Sequence, residues 1–306
     1  MINSTISPAS QPDPLFAAIR HYHFLYELVL ASISFLLNGV VVYLALTMKS
    51  KNTRNYCRIL LMSVMGDMIY TALNFVTMMI VEIRAGKMYF ITTGPYIHST
   101  YPNNMLMCAL WLTGMYVTIM TIMVQFVYRY YALCKNGLSV AKFALLYCLG
   151  MTWCVGQGFA SFANLGPILH FCCSQISIVV LYVIIVTTGR RIQKVLNSDT
   201  LNMSTNTKDA QKKLNKVMAL QATYPGLIVG LPVLLATIMA QLKMDVSWSG
   251  MYIAPSISAI PIINAITVLL VIPSFRKRIM GSGNVTTSAI STVPETSSRA
   301  DHTMMH

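Results

Sequence analysis

Asp67 is the charged residue whose position in the sequence points most directly to chemistry. It is the ninth residue of an apolar stretch, 59–81, that is long enough to lie in a membrane. A carboxylate at such a depth costs about 2.5–3.5 kcal/mol, so it must face other helices and find polar partners there. The candidate partners are Asn38, Ser63, Asn74 and Asn264. Such a cluster either holds helices together or acts as a cation-sensitive switch, and the two roles are compatible.

Arg129 is the second candidate. It follows another apolar stretch, 105–127, and its neighbours in the sequence are Tyr128, Tyr130 and Tyr131. Aromatic residues together with a snorkelling arginine anchor the end of a helix at the membrane surface. The alternative role is that of an arginine at the cytosolic mouth, which exchanges partners between a resting and an active state.

Prolines in the last two apolar stretches predict bent helices. Pro225 and Pro232 lie in one of these stretches, and Pro261 lies in the other, three residues before Asn264. A proline frees a backbone carbonyl one turn earlier in the helix, and the side chain of Asn264 can bond to it. The bends act either as hinges or as static kinks.

Seven apolar stretches supply the elements that must position these residues. Hydrophobic residues make up 55% of the 306 residues and charged residues 10%, whereas a soluble domain has about 25% charged residues. Each stretch can cross about 30 Å of hydrocarbon, and lipid forces such a segment to be helical. This pattern excludes a soluble enzyme or a nucleic-acid-binding domain. The predicted helices are 24–48, 59–81, 105–127, 143–163, 168–188, 217–241 and 251–272.

The predicted fold is an all-α membrane protein, a seven-transmembrane helix bundle over residues 24–272. Residues 1–23 form an extracellular N-terminus, and residues 273–306 form a cytosolic tail that is mostly disordered. The segments assigned to the cytosol hold 18 Lys and Arg and the outer segments hold 4, which sets the orientation. The net charge of +13 is therefore a topology signal that needs no nucleic-acid partner. Polar composition predicts disorder at 196–209 and at 281–306, the latter as a solvated or a phosphorylated tail.

The sequence contains no constellation that predicts catalysis or cofactor binding. No two of its six histidines pair at helical spacing inside a predicted span, and Asp67 is the only deep carboxylate that we expect. General acid–base chemistry therefore lacks its usual pair of groups. A polytopic transporter or channel is one function open to such a bundle, and the odd number of spans disfavours it because it leaves no two-fold repeat. A seven-helix membrane enzyme is another.

Cys108 lies near the outer, oxidising side of the membrane, where disulfides form. Cys172 and Cys173 lie on the same side, close to the start of the fifth predicted helix. Cys108 could therefore form a disulfide with either Cys172 or Cys173. The spacing of the seven cysteines matches no zinc or haem site.

The order of these motifs resembles that of G-protein-coupled receptors and, in its finer pattern, that of the nematode serpentine chemoreceptors of the Str superfamily. The resemblance covers residues 25–280, and class d (Srd) is the class that we predict. The motifs that carry it are Leu37-Asn38-Gly39, Gly94-Pro95-Tyr96, Tyr128-Arg129-Tyr130-Tyr131, Pro225 with Pro232, Pro261-Ile262-Ile263-Asn264 and Phe275-Arg276.

The resemblance implies a chemosensory receptor in the plasma membrane of sensory cilia. A small environmental molecule, an odorant or pheromone, would bind among the outer halves of helices 3, 5, 6 and 7 and favour a form that activates a heterotrimeric G protein. The implied switch and coupling residues are Arg129, Tyr130, Asp67, Asn38, Asn264 and Pro261. The pocket candidates, chosen by depth in the bundle, are Trp111, Tyr116, His170, Tyr224 and Tyr252.

Three features depart from the family pattern. Asn264 is followed by Ala265 rather than proline. The residue directly before Arg129 is a tyrosine rather than an acid, so the usual ion pair between adjacent residues is missing. Only about seven residues remain for the outer loop between the fourth and fifth spans, if each span takes about 20 residues. This short loop bears on the disulfide that the resemblance implies, Cys108–Cys172.

The predicted topology determines where N-linked sugar is added. Asn3 begins the sequon Asn3-Ser4-Thr5 on the outer side, whereas the sequons at Asn202 and Asn284 lie in the cytosol. We expect glycan on Asn3 alone, with an occupancy lowered by its closeness to the chain end. The measurement is the mobility shift on endoglycosidase treatment, with Asn3→Gln as the control. A shift that survives Asn3→Gln and is lost in Asn202→Gln or Asn284→Gln would contradict the topology.

Overall fold

The computed structural model describes residues 14–47, 51–84, 87–135, 139–160, 167–198, 205–244 and 247–279. These residues form helices and one β-hairpin. The helices are α1 (Pro14–Leu46), α2 (Lys51–Thr77), α3 (Asn103–Cys134), α4 (Val140–Phe159), α5 (Pro167–Asn197), α6 (Thr205–Tyr224), a π-helical segment (Pro225–Gly230), α7 (Leu231–Gln241), α8 (Ser247–Ser258), α9 (Ile260–Val271) and α10 (Pro273–Ile279). The antiparallel strands are β1 (Met79–Arg84) and β2 (Lys87–Thr92).

Helix α3 is the centre of the bundle and packs against α2, α4 and α5. Between Trp111 and Phe126 every residue except Met115 is buried. By contrast, α5 turns Val179 and Val183 outward, where they are exposed. Helices that are apolar on all sides are typical of membrane spans, because lipid accepts the outward side chains. The arrangement is therefore a helix bundle built for hydrocarbon surroundings.

Five of the described helical segments are long and apolar enough to cross a membrane, and α8 with α9 makes a sixth if this bent pair counts as one span. The five lie in α1, α2, α3, α5 and the continuous run of α6 into α7. Helix α4, which has 20 residues and Lys142 in its first turn, is not among them. The mostly helical fold is confirmed with five to six candidate spans, and the count of seven stays a prediction.

The second predicted span, 59–81, is wrong at its C-terminal end. Helix α2 ends at Thr77, and Met78 takes a left-handed backbone conformation with φ 40°. The chain then enters the hairpin, whose strand β1 packs against α8. Residues 79–81 are buried there. A short apolar run is the same signal in a buried strand as in a helix, so the sequence could not separate the two.

Other boundaries also differ from the sequence prediction. Helix α1 begins at Pro14, ten residues before the first predicted span, and α5 continues to Asn197. Because α6 begins at Thr205, helix covers both ends of the polar stretch 196–209, and the predicted disorder is wrong there. Seven residues, 160–166, connect α4 to α5, as the sequence predicts. The residues after 279 lie outside the described part of the chain.

Glycines let α4 approach α3 closely. A Cβ atom at Gly158 would lie 2.6 Å from the backbone oxygen of Ala109 and would overlap the side chain of Thr113. Small residues allow helix backbones to approach in this way inside membranes. The corresponding position at Gly156 has no atom within 4 Å. The two glycines of α4 therefore differ in what a methyl group would meet.

This difference predicts opposite effects for the same substitution. Gly158→Ala should lower the stability of the protein by about 1–3 kcal/mol, because overpacking forces backbones apart. Gly156→Ala is the matched control and should be neutral or stabilising, since alanine favours helix over glycine. Thermal unfolding of the detergent-solubilised protein measures both variants. Equal unfolding temperatures for the two variants would contradict the close α3–α4 contact.

Candidate functional site

The arginine cluster consists of Arg129 and three side chains of α6. Arg129 is near the C-terminal end of α3 and is only 1% exposed. Its Nη2 donates to the backbone oxygen of Gln211 at 3.0 Å and to Oε1 of the same residue at 2.9 Å. Its Nη1 donates to Asn215 Oδ1 and to Met218 Sδ, each at 3.3 Å. These four contacts join α3 to α6 through uncharged acceptor atoms.

The tyrosines beside Arg129 contact other helices. The Tyr130 hydroxyl accepts a hydrogen bond from Arg191 Nη1 of α5 at 3.4 Å, and the Arg191 guanidinium lies 5.8 Å from the Tyr130 ring centre. The Tyr128 ring packs edge-on against Phe143 of α4 at 4.9 Å. A snorkelling arginine places its guanidinium in water, whereas that of Arg129 is buried against α6. The geometry therefore favours a partner on α6 over simple anchoring.

The Asp67 cluster joins α2 to α9 and α1. Asn264 Nδ2 donates to Asp67 Oδ1 at 2.9 Å, and both residues are buried. The Thr71 hydroxyl donates to the backbone oxygen of Asp67 at 2.8 Å and lies 2.8 Å from Ser34 Oγ. Asn38 Nδ2 donates to the backbone oxygen of Ser34 at 3.0 Å. Asn264 thus contacts the Asp67 carboxylate directly. Asn38 Nδ2 also lies 3.4 Å from Ser34 Oγ, so Asn38 is linked to the Asp67 backbone through the hydroxyl groups of Ser34 and Thr71.

The remaining expectations for this region are met only in part. Ser63 is buried, and Asn74 belongs to a different cluster. Pro261 is the second residue of α9, just after the break at Ala259, where α8 and α9 meet at 40°. The Asn264 amide donates to Asp67 rather than to the carbonyl that Pro261 frees. The helix is bent as predicted, but the asparagine has another role.

A third polar group, the Glu27 cluster, surrounds a carboxylate of α1 that is only 1% exposed. Glu27 Oε1 accepts a hydrogen bond from Ser258 Oγ of α8 at 2.7 Å, and Oε2 accepts one from Asn74 Nδ2 of α2 at 2.6 Å. Asn74 Oδ1 in turn accepts from Trp111 Nε1 of α3 at 3.0 Å. One carboxylate therefore links four helices.

His23 extends this cluster to the hairpin. Its Nε2 lies 3.4 Å from Glu27 Oε1, and its Nδ1 lies 2.9 Å from Thr93 Oγ1, just after β2. The expectation that Asp67 is the only deep carboxylate is therefore wrong. Glu27 is the fourth residue of the predicted span 24–48 and follows His23 by one helical turn. The i, i+4 spacing of these two ionisable residues is the feature of the sequence that could have indicated the Glu27 cluster.

The pocket candidates do not converge on one site. Trp111 belongs to the Glu27 cluster. Tyr116 bonds through its hydroxyl to Ser174 of α5, and its ring lies 5.5 Å from that of Trp153 in α4. The side chain of His170 lies outside the described part of the chain. Trp111 and Tyr116 are buried, so both act in the helix contacts that surround α3.

Tyr224 and Tyr252 connect α8 to the sixth helix of the bundle, which consists of α6, the π-helical segment and α7. The Tyr224 hydroxyl donates to the backbone oxygen of Ser256 at 3.4 Å. The Tyr252 hydroxyl donates to the backbone oxygen of Ile228 at 3.0 Å, within the π-helical segment that Pro225 begins. A π-helical turn disturbs the regular backbone pairing of a helix. Tyr252 therefore holds a carbonyl at the irregular point of the sixth helix.

Two predicted modifications involve residues outside the described part of the chain. Cys108 carries a free thiol and packs partly buried against the core around α3, and the Cys108–Cys172 disulfide stays a prediction. The side chain of Cys172 and all of Asn3 lie outside the described residues.

Comparison with known proteins identifies the family of this bundle. Residues 23–175 and 156–280 match the family described as serpentine type 7TM GPCR chemoreceptor Str, so most of the chain is covered. The chain belongs to this family. The serpentine receptor is therefore a multi-pass membrane protein of the G-protein-coupled receptor class. The two matches overlap at 156–175, which includes the short connection between α4 and α5.

The serpentine receptor also resembles squid rhodopsin in structure. The TM-score is 0.61 over 87% of this chain and 85% of the rhodopsin chain, with 13% sequence identity. At that identity the likeness shows the fold alone. No curated protein matches the sequence. The receptor class therefore rests on the family and the fold together.

The Asp67 cluster yields a prediction about its charge. Asp67→Asn keeps the shape and hydrogen bonding of the side chain, so the serpentine receptor should still reach the cell surface. Its activation or its sensitivity to sodium should change, because the negative charge is lost. Surface labelling and signalling at several sodium concentrations measure both properties, with Asp67→Leu as the comparison. If Asp67→Asn prevents folding as thoroughly as Asp67→Leu does, the cluster is structural and the switch is rejected.

Proposed function

We propose that this protein is a chemosensory receptor of class d (Srd) that detects a small environmental molecule and activates a heterotrimeric G protein. The family and the rhodopsin-like fold support a receptor. The G protein and the ligand follow from the receptor class and are part of the proposal. The observation that carries the coupling mechanism is the set of contacts between Arg129 and α6.

The arginine cluster is proposed to hold the resting arrangement of the bundle. Gln211, Asn215 and Met218 lie on one face of α6 and fix it against the end of α3. Separating α6 from α3 would open a cleft there and release the Arg129 guanidinium for the G protein. Tyr130 would keep its own contact with Arg191 of α5 during this change. The cluster thus provides an element with two arrangements, which a switching mechanism requires.

The sixth and seventh helices are proposed to supply the movement. The π-helical segment, Pro225–Gly230, interrupts the sixth helix between α6 and α7, and the break at Ala259 bends the seventh helix. Irregular points of this kind let helix ends move without unfolding the rest. A ligand shifts the population toward the open form only by binding that form more tightly. The hydrogen bond between Asn264 and Asp67 would couple the position of α9 to that of α2.

The topology is proposed as seven spans with the N-terminus outside and the C-terminus in the cytosol. Helix α4 is proposed as the further span that brings the count from six to seven, and its packing on α3 supports this assignment. The domain limits then follow as 1–23, 24–272 and 273–306. The proposed site is the plasma membrane of sensory cilia, with the lipid bilayer, the G protein and an odorant or pheromone as partners. Asn3 is the proposed glycosylation site.

The first test removes an acceptor from Arg129. Gln211→Ala should raise signalling without ligand by about tenfold or more, because a hydrogen bond to a charged group contributes about 1.5–3 kcal/mol. The control is Gln193→Ala, an exposed glutamine on α5. Basal signalling per surface receptor is measured in cells that express a promiscuous G protein. Equal basal signalling in both variants and the wild type would reject the resting role of the cluster.

The second test changes Arg129 itself. Arg129→Lys should reach the surface and signal weakly, because lysine lacks the planar fork of donors that the released guanidinium is proposed to offer to the G protein. Arg129→Ala should signal least while still inserting, since Lys135 and Lys142 maintain the positive-inside bias. Surface labelling and a ligand dose–response are compared for each variant. Equal signalling per surface receptor in all three proteins would return Arg129 to an anchoring role.

A further inference from the structure

The Glu27 cluster contains a buried carboxylate whose charge is poorly balanced. Its hydrogen-bond donors, Ser258 and Asn74, are neutral. Among the described residues, the one basic group within 4 Å of it is His23, at 3.4 Å. A carboxylate inside a membrane bundle is expensive and typically marks an ion pathway, a proton relay or the counter-ion of a ligand. In the described part of the chain, the side chain that can balance the charge of Glu27 is therefore His23, and only when its imidazole is protonated.

His23 presents an unused nitrogen at the same place. The Thr93 hydroxyl donates its single hydrogen to the backbone oxygen of Met78 at 2.9 Å, so His23 Nδ1 is the donor in the contact with Thr93. A neutral His23 then has only a lone pair at Nε2. This nitrogen is buried and forms no hydrogen bond among the described residues. In this neutral form, two acceptors, Nε2 and Glu27 Oε1, face each other at 3.4 Å without a hydrogen atom between them.

A third polar atom lies beside this pair. The Tyr70 hydroxyl is buried and lies beside Ser258 and Glu27. A phenolic oxygen accepts hydrogen bonds as well as donating them. The three acceptors together match a group that carries several N–H donors and a positive charge. A neutral donor would satisfy the lone pairs but would leave the carboxylate charge unbalanced.

We propose that Glu27, His23 and Tyr70 recognise a primary ammonium group, and that the small molecule detected by this receptor is a protonated amine. The inference rests on the proposed receptor function and names the chemical class of its ligand. The ammonium group donates to Glu27 Oε1, to His23 Nε2 and to the Tyr70 hydroxyl. Glu27 is the counter-ion, and charge-assisted bonds of this kind are about twice as strong as neutral ones.

The position of Ser258 explains how binding reaches the rest of the bundle. Ser258 donates to Glu27 Oε1 and is the last residue of α8, directly before the break at Ala259. An ammonium group that takes this oxygen competes with Ser258 and releases the end of α8. Helix α9 begins after the break and carries Asn264, which bonds to Asp67. Amine binding at Glu27 is thus coupled to the bend of the seventh helix.

The test uses the purified full-length receptor and needs no G protein. Thermal unfolding is measured with n-butylammonium and benzylammonium chloride and with their neutral counterparts, 1-butanol and benzyl alcohol. A ligand that binds only the folded state raises the unfolding temperature with its concentration. Molecules this small bind weakly because few atoms make contact, so millimolar concentrations are used. We expect both ammonium ions to stabilise the receptor and the alcohols to have no comparable effect.

Variants then locate the effect. Glu27→Gln keeps the shape of the side chain and should weaken ammonium binding by about tenfold or more. The matched control is Glu82→Gln, since Glu82 is an acid of β1 outside the Glu27 cluster, and it should bind as the wild type does. Ser258→Ala removes the competing donor while keeping the carboxylate, so it should bind ammonium several-fold more tightly.

Two results would overturn the proposal. One is equal stabilisation of the wild type by the alcohols and the ammonium ions, or no stabilisation by either; this comparison decides the question even if Glu27→Gln does not fold. The other is unchanged ammonium binding in Glu27→Gln. Either result would leave the receptor function standing, because G-protein signalling is measured separately. Loss of signalling in the Arg129 variants would, in turn, leave ammonium binding intact.

Discussion

The packing of this protein depends on the absence of water around its buried polar groups. In hydrocarbon an unpaired carboxylate, guanidinium or amide has no solvent to bond, so its partners must come from neighbouring helices. Glu27 finds them on α2 and α8, Asp67 on α9, and Arg129 on α6. Apolar surfaces pack almost equally well against lipid and protein. The polar residues are therefore what specify which helices are neighbours.

These polar contacts also lie beside the irregular points of the fold. The break at Ala259 separates Ser258 from Asn264, so the two ends of the seventh helix bond to different carboxylates. Tyr252 bonds to a carbonyl of the π-helical segment in the sixth helix. A bend between two anchored points can change its angle only if one of the anchors gives way. The bend is therefore the physical element that both clusters would bias in the proposed coupling.

The sequence predicts the helices well and their partners poorly. Composition and length locate membrane helices because lipid permits few alternatives. Asp67 stands out since it lies in the middle of an apolar stretch, whereas Glu27 lies near the start of one, where charged residues are common. The hairpin strand at 79–81 reads as apolar whatever its conformation. The contacts of Arg129 with Gln211 and Asn215 depend on how α3 and α6 are placed, which local pattern does not determine.

The close approach at Gly158 has a mechanical consequence. With Ala109 and Thr113 directly against its backbone, α4 cannot rotate or slide along α3 without a steric clash. The two helices thus form a rigid pair, relative to which other helices can move. Helix α6 is joined to α3 by the Arg129 side chain near the start of α6. Any displacement of α6 would therefore take place relative to the closely packed pair of α3 and α4 at the centre of the bundle.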